Sequence, residues 1–130
     1  MHPNQLAKIV VNCAFEIHQS LGPGLLESVY EEILCHELTA STNLQLRRQA
    51  GIPTVWKGVS LGIGFRADII VENQLLIEVK SIDQLNPVHF KQVLTYLKLT
   101  DLHLALLINF NEVLIRNGIK RIVNNLPEKQ

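Results

Sequence analysis

Asp68, Glu78 and Lys80 lie at strand positions in a mostly apolar stretch between Phe65 and Lys80, and this stretch restricts the fold more than any other feature of the sequence. It predicts two short strands, Phe65 to Val71 and Leu75 to Val79. Side chains two residues apart on a strand project to the same face, so Glu78 and Lys80 share a face. Since burying an unpaired charge is costly, Asp68, Glu78 and Lys80 require a common explanation.

The length of the loop between these strands decides whether Asp68 faces Glu78. A two-residue loop, Asn73 and Gln74, pairs Asp68 with Val79 and places its side chain on the wrong face. A loop of three residues, 72–74, pairs Asp68 with Glu78. We therefore predict the three-residue loop or an equivalent bulge, with a positive φ at Asn73.

Two carboxylates and an ammonium in this arrangement are typical of a metal site. Adjacent carboxylates repel each other unless a cation is present, and Mg²⁺ prefers oxygen ligands. A metal between Asp68 and Glu78 would activate a water and stabilise charge on a phosphodiester, while Lys80 would orient that water or neutralise the transition state. The alternative is a surface ion pair between Lys80 and either acid, which would contribute little.

The remaining patterns predict a single α/β domain over residues 1–130, in the order α-α-β-β-β-α-β followed by a hairpin. The first strand contains Pro53, which predicts either an edge strand or a strand interrupted near Pro53. Glycines at 62–64 and the Lys57-Gly58 pair predict turns. The other predicted elements are helices from Asn4 to Leu21, Leu25 to Thr39 and Val88 to Leu99, strands from Leu44 to Trp56 and Leu102 to Phe110, and a hairpin at Asn117-Gly118.

Composition limits the classes of function. The formal net charge is zero, which argues against strong, non-specific binding of nucleic acid but leaves room for a local basic patch. Cys13 and Cys35 fall in helical patterns and are interpreted as buried thiols in a reducing compartment. Because the apolar stretches are too short to span a bilayer, we expect a cytoplasmic protein without a membrane partner.

The second and third predicted helices each carry a face of polar residues, and each face has two interpretations. Glu27, Tyr30 and Glu31 share one face of the second helix, and an acid in the first turn is also favoured by the helix dipole alone. His89, Gln92 and Tyr96 share one face of the third helix. A polar outer stripe is the simpler interpretation of that face, and for His89 by itself it is the preferred one.

The segment Gly24-Leu25-Leu26-Glu27-Ser28-Val29-Tyr30 resembles the motif that names the GxxExxY proteins, which are placed in the PD-(D/E)XK nuclease superfamily. The resemblance extends over nearly the whole chain. Its further matches are Ile52-Pro53, Lys57-Gly58, Gly64 to Asp68, Glu78 to Lys80, Pro87 to His89, Gln92 to Thr100 and Leu107 to Phe110. Ala67 stands where the superfamily's name has a proline.

This resemblance implies a restriction-endonuclease-like core, a mixed four-stranded sheet flanked by helices. It implies that Asp68 and Glu78 bind the metal, with the Val79 backbone carbonyl as a third ligand and Glu27 as the helix-borne acid that completes the site. Asp68, Glu78 and Glu27 then act with Lys80, which corresponds to the catalytic lysine. The implied substrate-binding residues are Gln92 and Tyr96, which resemble a glutamine-x₃-tyrosine motif, together with Tyr30 and His89.

The function that this pattern favours is a nuclease that depends on Mg²⁺ or Mn²⁺ and hydrolyses phosphodiester bonds of nucleic acid, with DNA ahead of RNA. The alternative is a non-catalytic module that retains the fold and binds nucleic acid or assembles with protein. A third interpretation is an internal ion-pair network, in which neutralising Glu78 would leave Lys80 unpaired and destabilise the fold strongly. A homodimer is left open.

Overall fold

The computed structural model describes residues 1–128, which form a mixed five-stranded sheet flanked by three helices. This confirms the predicted fold class. The elements are α1 (Pro3–Leu21), α2 (Glu27–Ser41), β1 (Leu46–Trp56), β2 (Val59–Val71), β3 (Leu75–Lys80), α3 (Pro87–Thr100), β4 (Leu104–Asn109), a 3₁₀ turn (Ile115–Asn117) and β5 (Ile119–Val123).

The strands are ordered β1-β2-β3-β4-β5, and only the β3–β4 pair is parallel within residues 1–128. The crossover between these two strands is α3, as a parallel connection requires. The predicted C-terminal hairpin is wrong, because residues 119–123 pair with β4 as a fifth strand. This pairing packs Ile119 against one hydrophobic cluster and Ile122 against the other, whereas an isolated hairpin would leave both exposed.

β1 and β2 form a long two-stranded ribbon at the edge of the sheet. The register shifts on both sides of Pro53, which confirms the predicted interruption. The turn predicted at 62–64 is wrong, since β2 begins at Val59, directly after the Lys57-Gly58 turn. Gly62 has a φ of 93°, and a Cβ on Gly64 would overlap the Thr54 side chain. Within β2, Gly62 therefore permits a positive φ, and Gly64 permits a close cross-strand approach.

The sheet buries a different hydrophobic cluster on each face. Residues of α1 and α2 pack on one face, against side chains that include Ile77, Val79 and Ile108. Val93 and Leu97 of α3 pack on the other face, against Ile70 and others. Because successive strand residues point to opposite faces, β3 is buried on both sides, as its continuous apolar run predicts. None of the helices in residues 1–128 is long and apolar enough to cross a bilayer.

Candidate active site

The strands β2 and β3 separate where Asp68 lies. Their paired register runs from Val71↔Leu75 to Ile69↔Ile77 and is joined by a three-residue loop, which confirms the predicted loop length. Asn73 has a φ of 52°, as predicted, and Glu72 is also left-handed. The same register, continued by one pair, sets Asp68 opposite Glu78. At this point Oδ2 of Asp68 accepts a hydrogen bond of 2.8 Å from the backbone N–H of Val79.

Glu78 is the buried acid of this region. Its side chain is 5% exposed, and its Oε1 atom has no hydrogen-bond partner. Burial, a hydrogen bond shared with Asp68 and the negative charge of Asp68 raise the pKa of Glu78 to about 9, against an opposing effect of Lys80. Without another cation, Glu78 therefore retains its proton at neutral pH.

Lys80 is partly exposed at the end of β3, and the Lys80 carbonyl accepts a hydrogen bond of 2.9 Å from Phe110 N–H. Within residues 1–128 the single ion pair shorter than 4 Å joins Arg48 to Glu31, and Lys80 is not part of it. The interpretation of the charges as an internal ion-pair network is therefore contradicted. The Lys80 ammonium is near enough to lower the pKa of Glu78 but is not bonded to that acid.

A second acidic group approaches Asp68 from α2. Glu31 is 5% exposed and accepts hydrogen bonds of 2.7 Å from Arg48 Nε and from Gln49 Nε2. The same Gln49 nitrogen lies 3.3 Å from Asp68 Oδ1 and donates to it. Gln49 has a φ of 51° within β1, an uncommon conformation for a non-glycine residue. The amide of Gln49 therefore bridges the helix acid and the strand acid.

Sequence reasoning missed Gln49 as part of this site. Its only signal was a polar residue in an edge strand, which is ordinary in such strands. Glu31 was placed on the same helix face as Glu27, but the motif pointed to Glu27 alone. The structure brings Glu31, rather than Glu27, into hydrogen-bond contact with the residues around Asp68.

Glu27 lies at the first turn of α2 and is exposed. It lines a cleft of about 210 Å³ together with Ser28, Glu31, Gln49, Asp68 and Val79. In the described part of the chain, no three Asp, Glu, His or Cys side chains come together closely enough to hold a metal ion. Glu27 thus shares a cleft with Asp68 without forming a three-carboxylate cluster.

The residues fit a divalent cation held by two carboxylates. Asp68 and Glu78 adjoin, and a buried carboxylate oxygen of Glu78 has no partner. Mg²⁺ is commonly bound through one or two carboxylates while it keeps several waters, so a third acid is not required. The Val79 carbonyl belongs to the residue whose N–H already bonds Asp68.

On the face of the sheet that α3 covers, Tyr96 of α3 stacks on Phe65 of β2, with ring centroids 3.6 Å apart and an interplanar angle of 6°. Burial, followed by the charges of Glu78 and Asp68, raises the pKa of the Tyr96 phenol. This places the phenol within electrostatic reach of both acids. Gln92 is exposed one helical turn earlier on α3.

His89 and Tyr30 have hydrogen bonds that belong to the fold. The Nδ1 atom of His89 accepts a bond of 2.8 Å from the Asn86 N–H and so caps the start of α3. Tyr30 is fully buried and stacks on Phe110, with centroids 4.5 Å apart. Its hydroxyl donates to the Gly22 carbonyl at 2.6 Å and accepts from Leu25 N–H at 3.2 Å. The structure therefore places Tyr30 beneath the surface, as a support for the turn before α2.

Asn109 fixes the chain that follows Lys80. It is fully buried at the end of β4. Its Oδ1 accepts from the Ile82 N–H at 3.1 Å, and its Nδ2 donates to the Ile82 carbonyl at 2.9 Å. A polar residue that ends an apolar strand was the available signal for this role, but the sequence does not say which segment it would hold.

Comparison with family models matches residues 4–122 to the PD-(D/E)XK nuclease superfamily. The match includes every residue of the two-carboxylate arrangement and all three helices. Searches of curated proteins and of solved structures gave no match.

Proposed function

Because the chain belongs to the PD-(D/E)XK nuclease superfamily, we propose that it is a nuclease that uses Mg²⁺ or Mn²⁺ to hydrolyse phosphodiester bonds, with DNA as the first substrate to test. One observation carries the proposal: the buried Glu78 carboxylate adjoins Asp68 and leaves one oxygen without a partner. A fold that needed these residues only for stability would not retain two adjacent acids and an unsatisfied buried oxygen.

Asp68 and Glu78 are the residues that would hold the cation, with the Val79 carbonyl as a third oxygen. The chemistry that such a cation supplies is activation of a water and neutralisation of charge on the phosphate. The Val79 N–H orients the Asp68 carboxylate, and Gln49 holds its other oxygen. These two bonds fix the Asp68 carboxylate before substrate arrives, which is what an efficient site requires.

Lys80 supplies a mobile positive charge next to the carboxylates. Because it is not held in an ion pair, its ammonium is available to orient the attacking water or to stabilise the negative charge that develops on the phosphate. Tyr96 and Gln92 on α3 then contact the substrate, and Glu27 lines the cleft on the opposite side of Asp68.

The test is cleavage of end-labelled DNA and RNA with Mn²⁺, with Mg²⁺ and with chelator. Wild-type protein is expected to cleave only with metal, and Lys80→Ala is expected to lower the rate at least a hundredfold. Lys8→Ala changes an exposed lysine on α1 and is the matched control. Cleavage that survives in both Lys80→Ala and Asp68→Asn would come from a contaminant or another site and would refute the proposal.

A non-catalytic module is distinguished by calorimetry with Mn²⁺. The proposed nuclease binds the ion, and Asp68→Asn abolishes the heat of binding. A wild-type protein that binds no metal and cleaves no substrate would instead be the non-catalytic module.

A further inference from the structure

Positive charge is concentrated in the two elements beside the proposed site. Residues 45–67, which form the β1–β2 ribbon up to the residue before Asp68, and residues 84–100, which include α3, hold six of the twelve Lys and Arg residues and none of the twelve Asp and Glu residues. The six are Arg47, Arg48, Lys57, Arg66, Lys91 and Lys98. The zero net charge of the chain therefore conceals a separation of charge along the sequence.

The fold joins these two basic elements into one surface. Phe65 of the ribbon stacks on Tyr96 of α3, and α3 also contacts β1. By contrast, α2 carries four glutamates and neither lysine nor arginine. A polyanion is therefore attracted to the ribbon and α3, and repelled from α2. We call the surface formed by residues 53–66 and α3 the basic ribbon–helix surface.

The outer part of the ribbon is exposed and apolar. Trp56, the only tryptophan in the chain, is 65% exposed at the tip, and Lys57 Nζ lies 5.7 Å from its ring centroid. Val55, Val59, Leu61 and Ile63 are each more than half exposed. Trp56 lies seven residues beyond Gln49, which is level with Asp68, and is therefore about 23 Å along the strand from the site.

We propose that the basic ribbon–helix surface binds single-stranded nucleic acid, which runs from the Asp68 and Glu78 site to the ribbon tip. An unpaired base stacks on the free face of Trp56, and its neighbours lie along the apolar ribbon. Lys57 and Lys91 contact phosphates. That the nucleic acid runs toward the Asp68 and Glu78 site rests on the proposed nuclease function. Its binding to the basic ribbon–helix surface does not depend on that function. Stacking on an exposed aromatic side chain beside basic residues is how many proteins bind single strands without sequence preference.

A second copy of the chain fits this surface less well. Two ribbons placed tip to tip on this surface would bring the Lys57 side chains of the two copies together. No acid in residues 45–67 is available to pair with them. The charge therefore favours a polyanion as the occupant of the ribbon.

The binding test uses the full chain with a labelled 20-nucleotide single strand in chelator, so that no cleavage occurs. Trp56→Ala is expected to weaken binding at least fivefold, and the double variant Lys57→Glu, Lys91→Glu at least tenfold. The double variant should also lower the slope of log affinity against log salt by about 1.4, the value for two phosphate contacts. In the wild type, the strand should quench the fluorescence of the single tryptophan.

The matched control is Lys8→Glu, Arg116→Glu, which reverses two exposed charges outside the surface and should bind nearly as wild type does. Equal loss in this control and in the ribbon variant would overturn the inference, because it would indicate attraction to net charge alone. A duplex that binds more tightly than the single strand would overturn it as well. So would a Trp56→Ala variant that binds normally but changes a dimer to a monomer in sedimentation, since the ribbon would then belong to a second copy.

Hydrolysis of bis(4-nitrophenyl) phosphate separates this inference from the proposed function, since so small a diester cannot reach the ribbon tip. Ribbon variants that hydrolyse it normally but bind the strand weakly support both statements. If the ribbon variants bind and cleave the single strand as well as the control variant, only the proposed binding surface is overturned. The wild type could hydrolyse neither the small diester nor the single strand, while Trp56→Ala still weakened binding of the single strand. That result would overturn the proposed nuclease function and support the proposed binding surface.

Discussion

The carboxylate of Asp68 accepts a hydrogen bond from the backbone N–H of Val79, on the neighbouring strand, at 2.8 Å. In a regular sheet, a backbone carbonyl of β2 would accept from the Val79 N–H. Here the side chain of Asp68 takes the place of that carbonyl. Beyond Ile69↔Ile77 the strands are no longer paired, and the carboxylate lies in the opening between them. Asp68 therefore ends the paired part of the two strands and, in the proposed site, would also provide a ligand for a cation.

This double role predicts different results for two substitutions of Asp68. Asp68→Asn retains an oxygen that accepts from Val79, so its free energy of unfolding in chelator should lie within about 0.5 kcal/mol of wild type. Asp68→Ala leaves the half-buried donor unsatisfied and should cost about 1–3 kcal/mol. Denaturant unfolding measures both values. Equal destabilisation by the two variants would show that the bond contributes nothing to stability.

The buried Glu78 carboxylate predicts a substitution that separates stability from metal binding. In chelator at pH 7, Glu78→Gln should be as stable as wild type or more stable, because an amide replaces an acid that lies beside Asp68 with an unpartnered oxygen. Mn²⁺ should raise the melting temperature of wild type and leave that of Glu78→Gln unchanged. The internal ion-pair network predicts the opposite, a strong loss of stability. Glu16→Gln on α1 controls for the loss of one negative charge at an exposed position.

The three-residue loop and the register between β2 and β3 could be predicted because a shift of one residue would move every side chain to the other face. Of the two loop lengths considered, only the three-residue loop puts Asp68 opposite Glu78, and the structure has that loop and that register. Residue types also sufficed for the helices, whose limits differ from the predicted ones by about two residues.

The contacts of Gln49 and Asn109 could not be predicted, because each depends on a partner that is distant in the sequence. Gln49 reaches Glu31 on α2 and Asp68 on β2 only after the sheet has brought three segments together. The fifth strand was missed for a related reason. Asn117-Gly118 is a strong local hairpin signal, but pairing with β4 buries more apolar surface than a hairpin would.

Tyr30 offers a test of whether a residue named by the motif supports the fold or the substrate. Tyr30→Phe retains the stack on Phe110 but removes the bonds to Gly22 and Leu25. We expect a loss of about 1 kcal/mol in the free energy of unfolding. Affinity for the 20-nucleotide strand should change less than twofold, since the hydroxyl is buried. An unchanged stability with a tenfold loss of affinity would instead assign the hydroxyl to substrate.

The two cysteines predict the pH dependence of thiol modification. Burial is the largest cause that raises the pKa of both Cys13 and Cys35 from 9.0 to about 11. Because the thiolate is the reactive form, alkylation by iodoacetamide at pH 8 should be about 100-fold slower in the folded protein than in denaturant. The rate should increase about tenfold per pH unit up to pH 10.

The same shift fixes the sign of the effect on stability. Between pH 9 and 11 the unfolded chain loses thiol protons that the folded chain retains, so these groups lower the free energy of unfolding as the pH rises. Single variants Cys13→Ser and Cys35→Ser assign the two alkylation rates, and each should leave one slow thiol. A rate that levels off by pH 10 in either variant would show that the remaining thiol has an ordinary pKa, and hence that the space between α1 and α2 admits solvent.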